Sequence, residues 1–310
     1  MPANPPSSRP MSMPPPGPTS VAFLGAASSE VGALAAPMAT NIAKKGFPIA
    51  VWNRSQDRSA ALAALGVKLR GSPRECVQGA RVVILLLADE SSLFDVLERA
   101  DGVLAGVEKD ALIVDMSTVG RAAALKAHDL AKGAGARFVD APVSGSVGHA
   151  ERAELTALVG GRLNDVSRGQ SVIQAMCKKI IHAGDVGQGQ ALKIVLNALG
   201  SHQLAAFTSM LVLGERAGLA RRVVIDAFTT GIFAAPSYVN RREKMLAKDY
   251  SPELTLAVGL KEAQLNIELQ QEVGLPLPVQ REITRALEKA VEEGLGEEDL
   301  YALEKYYRSL

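Results

Sequence analysis

The spacing of apolar residues changes once along this 310-residue chain, and that change limits the folds it can adopt. Between residues 21 and 184, short apolar runs alternate with stretches of helical spacing, which is typical of a mainly parallel sheet covered by helices on both faces. Residues 190–218 then form one helical stretch that is apolar on nearly every side, and no strand is predicted beyond it. The sequence therefore predicts an α/β fold, with an N-terminal doubly wound parallel sheet followed by an all-α region that begins with a long helix.

The predicted organisation has three parts: a tail over residues 1–19, an α/β domain over 20–184 and a helical domain over 185–310. The first 18 residues hold eight of the chain's 16 prolines together with several serines. Such a composition buries too little apolar surface to offset the entropy lost on ordering, so we expect this tail to be disordered. Eight strands are predicted, at residues 21–24, 49–52, 67–69, 82–87, 112–114, 138–139, 156–159 and 179–182.

Composition excludes several classes of function. The net charge is +1 and the basic residues are dispersed, so no nucleic-acid partner is expected. No apolar run is long enough to span a membrane and no signal peptide is recognised, so we expect a soluble, cytoplasmic protein without a membrane partner. The two cysteines, Cys76 and Cys177, suit a reducing compartment, and no histidine has a companion at metal-ligand spacing, so no metal is expected.

The turn after the first strand is where such a sheet would hold a dinucleotide pyrophosphate. Its sequence is irregular, because the strand ends at Gly25 and residues 26–30 precede Val31 and Gly32, so that five residues are inserted relative to a tight glycine-rich loop. Ala35 stands where the third glycine would be. By itself this segment is equally compatible with a plain connection between strand and helix.

The end of the second strand carries Asn53, Arg54 and Ser55. An enzyme that prefers NAD would carry an acidic residue here for the ribose hydroxyls, whereas an amide, a guanidinium and a hydroxyl suit a 2′-phosphate. The pattern favours NADP (NADPH) over NAD, with an ordinary surface arginine as the alternative interpretation of Arg54.

Five segments resemble one known family in order and spacing. They are residues 32–41, 51–55, 115–119, 140–146 and the Gly-Gln-Gly of 187–189, which leads to Lys193 and Asn197. Over about Val21 to Val279 the chain resembles the β-hydroxyacid dehydrogenases, which include 3-hydroxyisobutyrate dehydrogenase, tartronate semialdehyde reductase and glyoxylate/succinic semialdehyde reductase, and whose cofactor domain is of the Rossmann type found in 6-phosphogluconate dehydrogenase.

The resemblance implies a set of site residues. Lys193 would be the catalytic acid/base, Asn197 and Ser144 its catalytic companions, and Ser144, Gly145, Ser146 and Thr118 the substrate-binding residues. The cofactor would be bound by Gly25, Val31, Gly32, Leu34, Asn53, Arg54, Ser55, Leu86, Leu87, Thr118 and Lys261. The family lysine matched by Lys261 is normally followed by aspartate, but here Glu262 follows it.

The residues themselves support the assignment of Lys193. Lys193 and Asn197 are four apart, so they share one face of the predicted long helix. A lone lysine on a helix is usually solvated, but the neighbours of this one are apolar, so its charge would be desolvated unless it is used. Desolvation lowers a lysine pKa, as a proton donor near neutral pH requires.

These observations predict an NADP(H)-dependent oxidoreductase that interconverts a small β-hydroxy acid and its semialdehyde or keto acid, with reduction of glyoxylate or succinic semialdehyde favoured. The substrate would be a small molecule with a carboxylate. Two alternatives remain open: an imine reductase on the same fold, and a non-catalytic scaffold in which residues 26–30 impair cofactor binding. The apolar helices of the second domain favour a homodimer or homotetramer.

Overall fold

The computed structural model of the protein describes residues 19–25, 30–54, 62 and 64–310. Four sequence predictions lie wholly or largely outside these ranges: the proline-rich tail, the insertion over residues 26–30, of which Glu30 alone is described, Ser55, and a helix that the apolar spacing predicts over residues 57–65.

The nine described strands are short and all of them lie in the first 184 residues. They are Val21–Gly25 (β1), Ile49–Asn53 (β2), Lys68–Leu69 (β3), Val82–Leu86 (β4), Leu112–Asp115 (β5), Arg137–Asp140 (β6), Val143–Ser144 (β7), Leu155–Gly160 (β8) and Cys177–Gly184 (β9). Beyond β9, a single isolated bridge joins Thr255 to Asp299, and the described residues are otherwise helical or irregular.

The helices lie between the strands and then make up the C-terminal part. They are Glu30–Lys44 (α1), Pro73–Val77 (α2), Glu90–Glu98 (α3), Arg121–Gly133 (α4), Val147–Glu151 (α5), Leu163–Ile173 (α6), Gln188–Arg216 (α7), Arg221–Thr230 (α8), Pro236–Val239 (α9), Arg242–Ala247 (α10), Leu256–Val273 (α11), Pro278–Ala290 (α12) and Leu303–Ser309 (α13), with a π-helical turn at Val291–Leu295 and a 3₁₀ turn at Leu300–Ala302. Within the described ranges, no helix has both the length and the apolar character needed to cross a membrane.

The sheet has the strand order β3-β2-β1-β4-β5-β6-β8-β7, with β9 beside β8. The six strands from β3 to β6 are parallel, whereas β8 runs antiparallel to β6 and β7. Gly25 is in register with both Asn53 and Leu86, so the carboxyl ends of β1, β2 and β4 meet at one edge. The order reverses between β1 and β4, and a crevice for a ligand opens at such a reversal. The predicted fold class is thus confirmed: a parallel Rossmann-type domain is followed by a mostly helical one.

The core consists of an apolar cluster on each face of the sheet and a third among the C-terminal helices. Successive side chains of a strand point to opposite faces, so Leu86 belongs to one cluster and Leu87 to the other. The side chain of Leu87 is only 2% exposed. Leu86 lines the cavity described below, whereas the side chain of Leu87 packs on the opposite face of the sheet.

The first turn of α7 is fixed to the sheet by Asp140, the last residue of β6. Its two carboxylate oxygens accept hydrogen bonds from the backbone N–H groups of Gly187, at 2.7 Å, and Gln190, at 2.8 Å. Gly189 lies so close that an added Cβ would stand 2.7 Å from a carboxylate oxygen of Asp140. Burial raises the pKa of Asp140 to about 6, although these N–H groups oppose the shift. The helix that carries Lys193 therefore starts from a fixed point.

Candidate active site

A cavity of about 150 Å³ lies between the carboxyl edge of the sheet and the C-terminal helices. Residues from both parts of the chain line it: Leu34, Leu86, Met116, Thr118, Val143, Gly145, Ser146, Val147, Lys193, Glu253, Leu254, Val258 and Glu262. Six of these were predicted as site residues from the sequence, namely Leu34, Leu86, Thr118, Gly145, Ser146 and Lys193.

Lys193 reaches the cavity from the second turn of α7. Burial lowers the pKa of its ammonium group, and the nearby carboxylate of Glu262 partly opposes the shift. A lysine in such a setting can change its protonation state closer to neutral pH than a solvated lysine can. The arrangement suits a group that gives a proton to, and takes one from, a bound molecule.

Glu262 lies on α11 and faces the same cavity. Burial raises the pKa of its carboxyl group, while the positive charges of Lys193 and Lys261 lower it. Sequence reasoning noted this residue only as a departure from the family pattern. Its place beside the lysines could not be predicted from the sequence, because Lys193 and Glu262 are about 70 residues apart in the chain. No sequence pattern specifies which faces of α7 and α11 meet.

Lys261 joins the helical part of the chain to the edge of the sheet. Its Nζ donates hydrogen bonds to the carbonyl oxygens of Ala88, at 2.7 Å, and Thr118, at 3.0 Å. Burial lowers its pKa, against the effect of Glu262 and Asp89. Its side chain thus ends where β4 and β5 present their carboxyl ends, the region where the resemblance places the nicotinamide.

Gln190 was missed by the sequence analysis and holds the same loop from α7. Its Nε2 donates to the carbonyl oxygen of Ser117, at 2.8 Å, and its Oε1 accepts from the N–H of Val119, at 3.2 Å. The side chain is fully buried. A usable signal was present, since Gln190 lies three residues before Lys193 and so shares its face of the helix.

Asn197 and Ser144 do not line the cavity. Asn197 follows Lys193 by one turn of α7, and its Nδ2 is buried without a hydrogen-bond partner. A buried donor left without a partner carries an energetic cost, so this amide is a candidate for contact with a ligand. Ser144 lies in β7, paired with Thr156 of β8, and is half-buried.

The turn that follows β7 supplies another part of the wall of the cavity. Gly145 has a φ of +142°, a conformation that L-residues with side chains rarely adopt, and a Cβ there would meet Leu155 and His149. Ser146 caps the short helix α5 and contacts His149. The glycine thus lets the chain turn tightly enough to bring Ser146 to the cavity.

The predicted cofactor residues are assembled around the crevice between β1 and β4. Gly25 ends β1 so close to α1 that a Cβ would stand 2.9 Å from that of Ala35. Asn53, at the end of β2, has a buried Oδ1 without a hydrogen-bond partner. The next residue, Arg54, is exposed, with its guanidinium 3.9 Å from Asp95. The unsatisfied amide oxygen can accept a hydrogen bond from a nucleotide hydroxyl, and the guanidinium carries a positive charge at the same edge of the sheet.

Val31 and Gly32 lie in the first turn of α1, at whose N-terminus a pyrophosphate would bind. Ser55 falls outside the described residues.

Comparison with known proteins agrees with this geometry. The family model described as the NAD binding domain of 6-phosphogluconate dehydrogenase matches residues 20–184. The model described as NAD-binding of NADP-dependent 3-hydroxyisobutyrate dehydrogenase matches residues 187–307.

Named relatives point the same way. The chain is 30% identical to glyoxylate/succinic semialdehyde reductase 2, chloroplastic, of Arabidopsis thaliana, over 93% of this chain and 79% of the relative. A structure of Mycobacterium tuberculosis 3-hydroxyisobutyrate dehydrogenase with L-serine superposes with a TM-score of 0.82 at 27% identity, covering 94% of this chain and 99% of that one. An imine reductase from Pseudomonas sp. has a TM-score of 0.57 at 21% identity, with 94% and 99% covered, and shares the fold alone. The chain therefore belongs to the β-hydroxyacid dehydrogenase family and is an NAD(P)-dependent oxidoreductase.

Proposed function

We propose that this chain reduces a short aldehyde or keto acid, such as glyoxylate or succinic semialdehyde, to the hydroxy acid, with NADPH preferred to NADH and Lys193 as the general acid. The observation that carries the proposal is the position of Lys193. Burial lowers its pKa, and it lines the same cavity as Thr118 and Ser146. Oxidation of the hydroxy acid follows the same path in reverse.

Each residue has a separate task in this reaction. A nicotinamide cofactor held at the carboxyl edge of the sheet, beside Leu86 and Thr118, would supply the hydride for the carbonyl carbon. Lys193 Nζ gives a proton to the carbonyl oxygen as negative charge develops there, and the unpartnered Nδ2 of Asn197 supplies a second donor near it. The turn at Gly145 and Ser146 holds the acid end of the substrate, and Lys261 and Gln190 fix the loop of Thr118.

Size and kinship support the substrate class. The cavity of about 150 Å³ is lined partly by the proposed cofactor residues Leu34, Leu86 and Thr118, so a bound nicotinamide would leave room only for a small substrate. The Arabidopsis relative is named for glyoxylate and succinic semialdehyde, both short aldehydes with a carboxylate. The imine-reducing alternative has weaker support, since the imine reductase shares only the fold.

The preference for NADPH rests on Asn53 and Arg54. A guanidinium binds a phosphate through paired, charge-assisted hydrogen bonds, and no acidic residue ends β2 to favour a free 2′-hydroxyl. The family model for residues 187–307 carries an NADP-dependent enzyme in its description, in agreement with this preference.

The first test is titration with NADPH and NADH, followed by the fluorescence of Trp52, the only tryptophan, which precedes Asn53 at the end of β2. We expect micromolar binding of NADPH and much weaker binding of NADH. Turnover of glyoxylate and succinic semialdehyde is then compared in the wild type, Lys193→Met and the surface control Lys132→Met.

Loss of the proton donor should lower kcat by about 10²- to 10⁴-fold in Lys193→Met while NADPH still binds. Unchanged turnover in this variant would refute the role of Lys193. Reduction of a cyclic imine but of neither aldehyde would favour the imine reductase instead, and binding of neither nucleotide would favour the scaffold.

The long helix α7 supports a homodimer as the assembly. Four of its exposed apolar side chains, Leu196, Leu199, Met210 and Leu213, are 39 to 58% exposed, and their separations of 3, 11 and 3 residues place them along one side of the helix. Light scattering should give twice the chain mass for the wild type and for Val223→Lys, a control on α8. Leu199→Lys combined with Met210→Lys should give the monomer mass, and a dimer that survives both changes would exclude this stripe as the interface.

We propose that the protein acts in the cytoplasm, a reducing compartment in which cysteines stay free. Cys76 and Cys177 are both free and buried, and burial raises the pKa of each thiol to about 12, which keeps them unreactive.

A further inference from the structure

The turn that borders the cavity is held from behind by His149, which lies on α5. The Nδ1 atom of His149 is 2.8 Å from Ser146 Oγ and 3.2 Å from the backbone nitrogen of Ser146. The ring also packs under Gly145, where an added Cβ would stand 3.1 Å from the Cβ of His149. His149 is thus part of the turn, although it does not line the cavity itself.

The hydrogen positions in this contact follow from what each group can do. A backbone N–H can only donate, so Nδ1 of His149 must carry its lone pair, and the neutral ring then holds its proton on Nε2. The hydroxyl of Ser146 donates to the same nitrogen. Both donors of Ser146 are therefore directed at His149. The serine presents only oxygen lone pairs to the cavity, and a carboxylate, which accepts hydrogen bonds and donates none, gains nothing from them.

Protonation of His149 reverses this arrangement. With a proton on Nδ1, the ring donates to Ser146 Oγ and no longer accepts, so the N–H and O–H of Ser146 are released. A carboxylate in the cavity can then take two hydrogen bonds beside a positive charge, and bonds of this kind are stronger than neutral ones. Histidine is the side chain whose charge ordinarily changes between pH 5 and 8.

We propose that His149 sets the affinity of the cavity for a carboxylate substrate, by taking up a proton when the carboxylate binds and so releasing the two donors of Ser146. The inference rests on the proposed function, because it requires that the acid end of the substrate lies at this turn. Binding takes up a proton, so the affinity falls as pH rises.

Other charges surround the ring and the cavity. Lys44 ends α1, which packs against α5; Glu151 and Arg152 lie beside His149 in the chain, and Glu154 pairs with Arg152. Lys193, Glu253 and Glu262 belong to the cavity. All of these groups remain in every variant of His149, so a comparison among variants separates the titration of His149 from theirs.

Two substitutions have opposite expected effects. His149→Asn keeps an acceptor oxygen close to the position of Nδ1 but cannot take up a proton, so Ser146 stays engaged at every pH. His149→Ala removes the acceptor and leaves the donors of Ser146 free at every pH. His149 is exposed, so neither change opens the core.

The test uses the protein loaded with NADP⁺, in which succinic semialdehyde binds without being reduced. Calorimetry in buffers of different ionisation enthalpy gives the affinity and the number of protons taken up between pH 6 and pH 8. For the wild type and the control His182→Asn we expect proton uptake and a loss of affinity of about tenfold over this range. The uncharged methyl ester of the substrate should show neither effect.

His149→Asn should bind succinic semialdehyde weakly throughout, and His149→Ala should bind it at pH 8 more tightly than the wild type does, with proton uptake lost in both. Equal affinities in the two variants, or proton uptake that survives in them, would overturn the inference. Turnover with NADPH is measured first on the wild type. Absence of turnover would refute the proposed function, whereas turnover combined with pH-independent binding would refute the role of His149 alone.

Discussion

The side-chain amide of Gln190 makes one hydrogen bond to the residue before Thr118 and one to the residue after Thr118. Gln190 and Lys193 lie on the same face of α7, so the position of Thr118 is tied to that of the proposed proton donor through a single helical turn. Rigid placement of reacting groups is a large part of catalysis, and this contact supplies it without touching the substrate.

Replacement of Gln190 by methionine should therefore damage both stability and catalysis. The carbonyl of Ser117 and the N–H of Val119 would be left buried without partners, which should lower the free energy of unfolding by about 2 kcal/mol. We expect kcat to fall by about tenfold or more as the loop of Thr118 loses its position. Urea unfolding and steady-state kinetics measure the two effects. Gln188→Met, on another face of α7, is the control, and equal behaviour of the two variants would contradict this role.

Glu262→Gln should shift the pH profile of reduction. Reduction needs protonated Lys193, so activity is lost as pH rises through the pKa of that lysine. The carboxylate of Glu262 raises this pKa, and its removal should move the falling limb of kcat/KM to lower pH. Glu268→Gln, an exposed change on the same helix, should leave the limb in place. A limb that does not move in Glu262→Gln would show that the two groups are uncoupled.

Arg54→Ala tests the basis of cofactor choice. Loss of a bidentate, charge-assisted contact to the 2′-phosphate should weaken NADPH binding by roughly 10- to 100-fold, while NADH binding stays the same. Fluorescence titration of both nucleotides measures the change, with Arg70→Ala, an exposed arginine just after β3, as the matched control. An equal loss of affinity for both nucleotides would mean that Arg54 does not bind the 2′-phosphate.

Asp115→Asn should make the fold more stable at high pH relative to the wild type. Burial raises the pKa of Asp115 to about 7, so the folded protein holds a proton that the unfolded chain releases above its ordinary pKa near 3.8. Stability from this proton is present at low pH and is lost as pH rises towards 7. Because asparagine does not titrate, the variant should gain about 2 kcal/mol on the wild type between pH 5 and pH 7. Urea unfolding at both values measures the gain, Asp129→Asn should show none, and parallel curves would contradict the prediction.

Much of the fold could be predicted because each strand before residue 184 combines an apolar run with flanking turn residues. The exception is β7, Val143–Ser144, which the prediction missed. Its pairing with β8 depends on an antiparallel return of the chain, and local spacing carries no signal for such a return.

The site was predicted less completely than the fold. Lys193 and Thr118 could be identified because they stand in segments with a recognisable order. The order of the segments does not distinguish Leu86 from Leu87. The alternation of side chains along a strand does, because it places the two on opposite faces of the sheet. Glu262 and Gln190 depend on which faces of α11 and α7 meet the sheet, and a sequence without its packing does not specify this.

The capping of α7 by Asp140 has a mechanical consequence for access to the cavity. Two hydrogen bonds and the tight fit at Gly189 hold the start of the helix in place. The connection between the two domains therefore has little freedom to change its conformation at this point. The contacts of Lys261 with the edge of the sheet consist of hydrogen bonds from one side chain. We therefore expect the cleft to open by rotation of the helical domain about Asp140, with the hydrogen bonds of Lys261 broken as it opens.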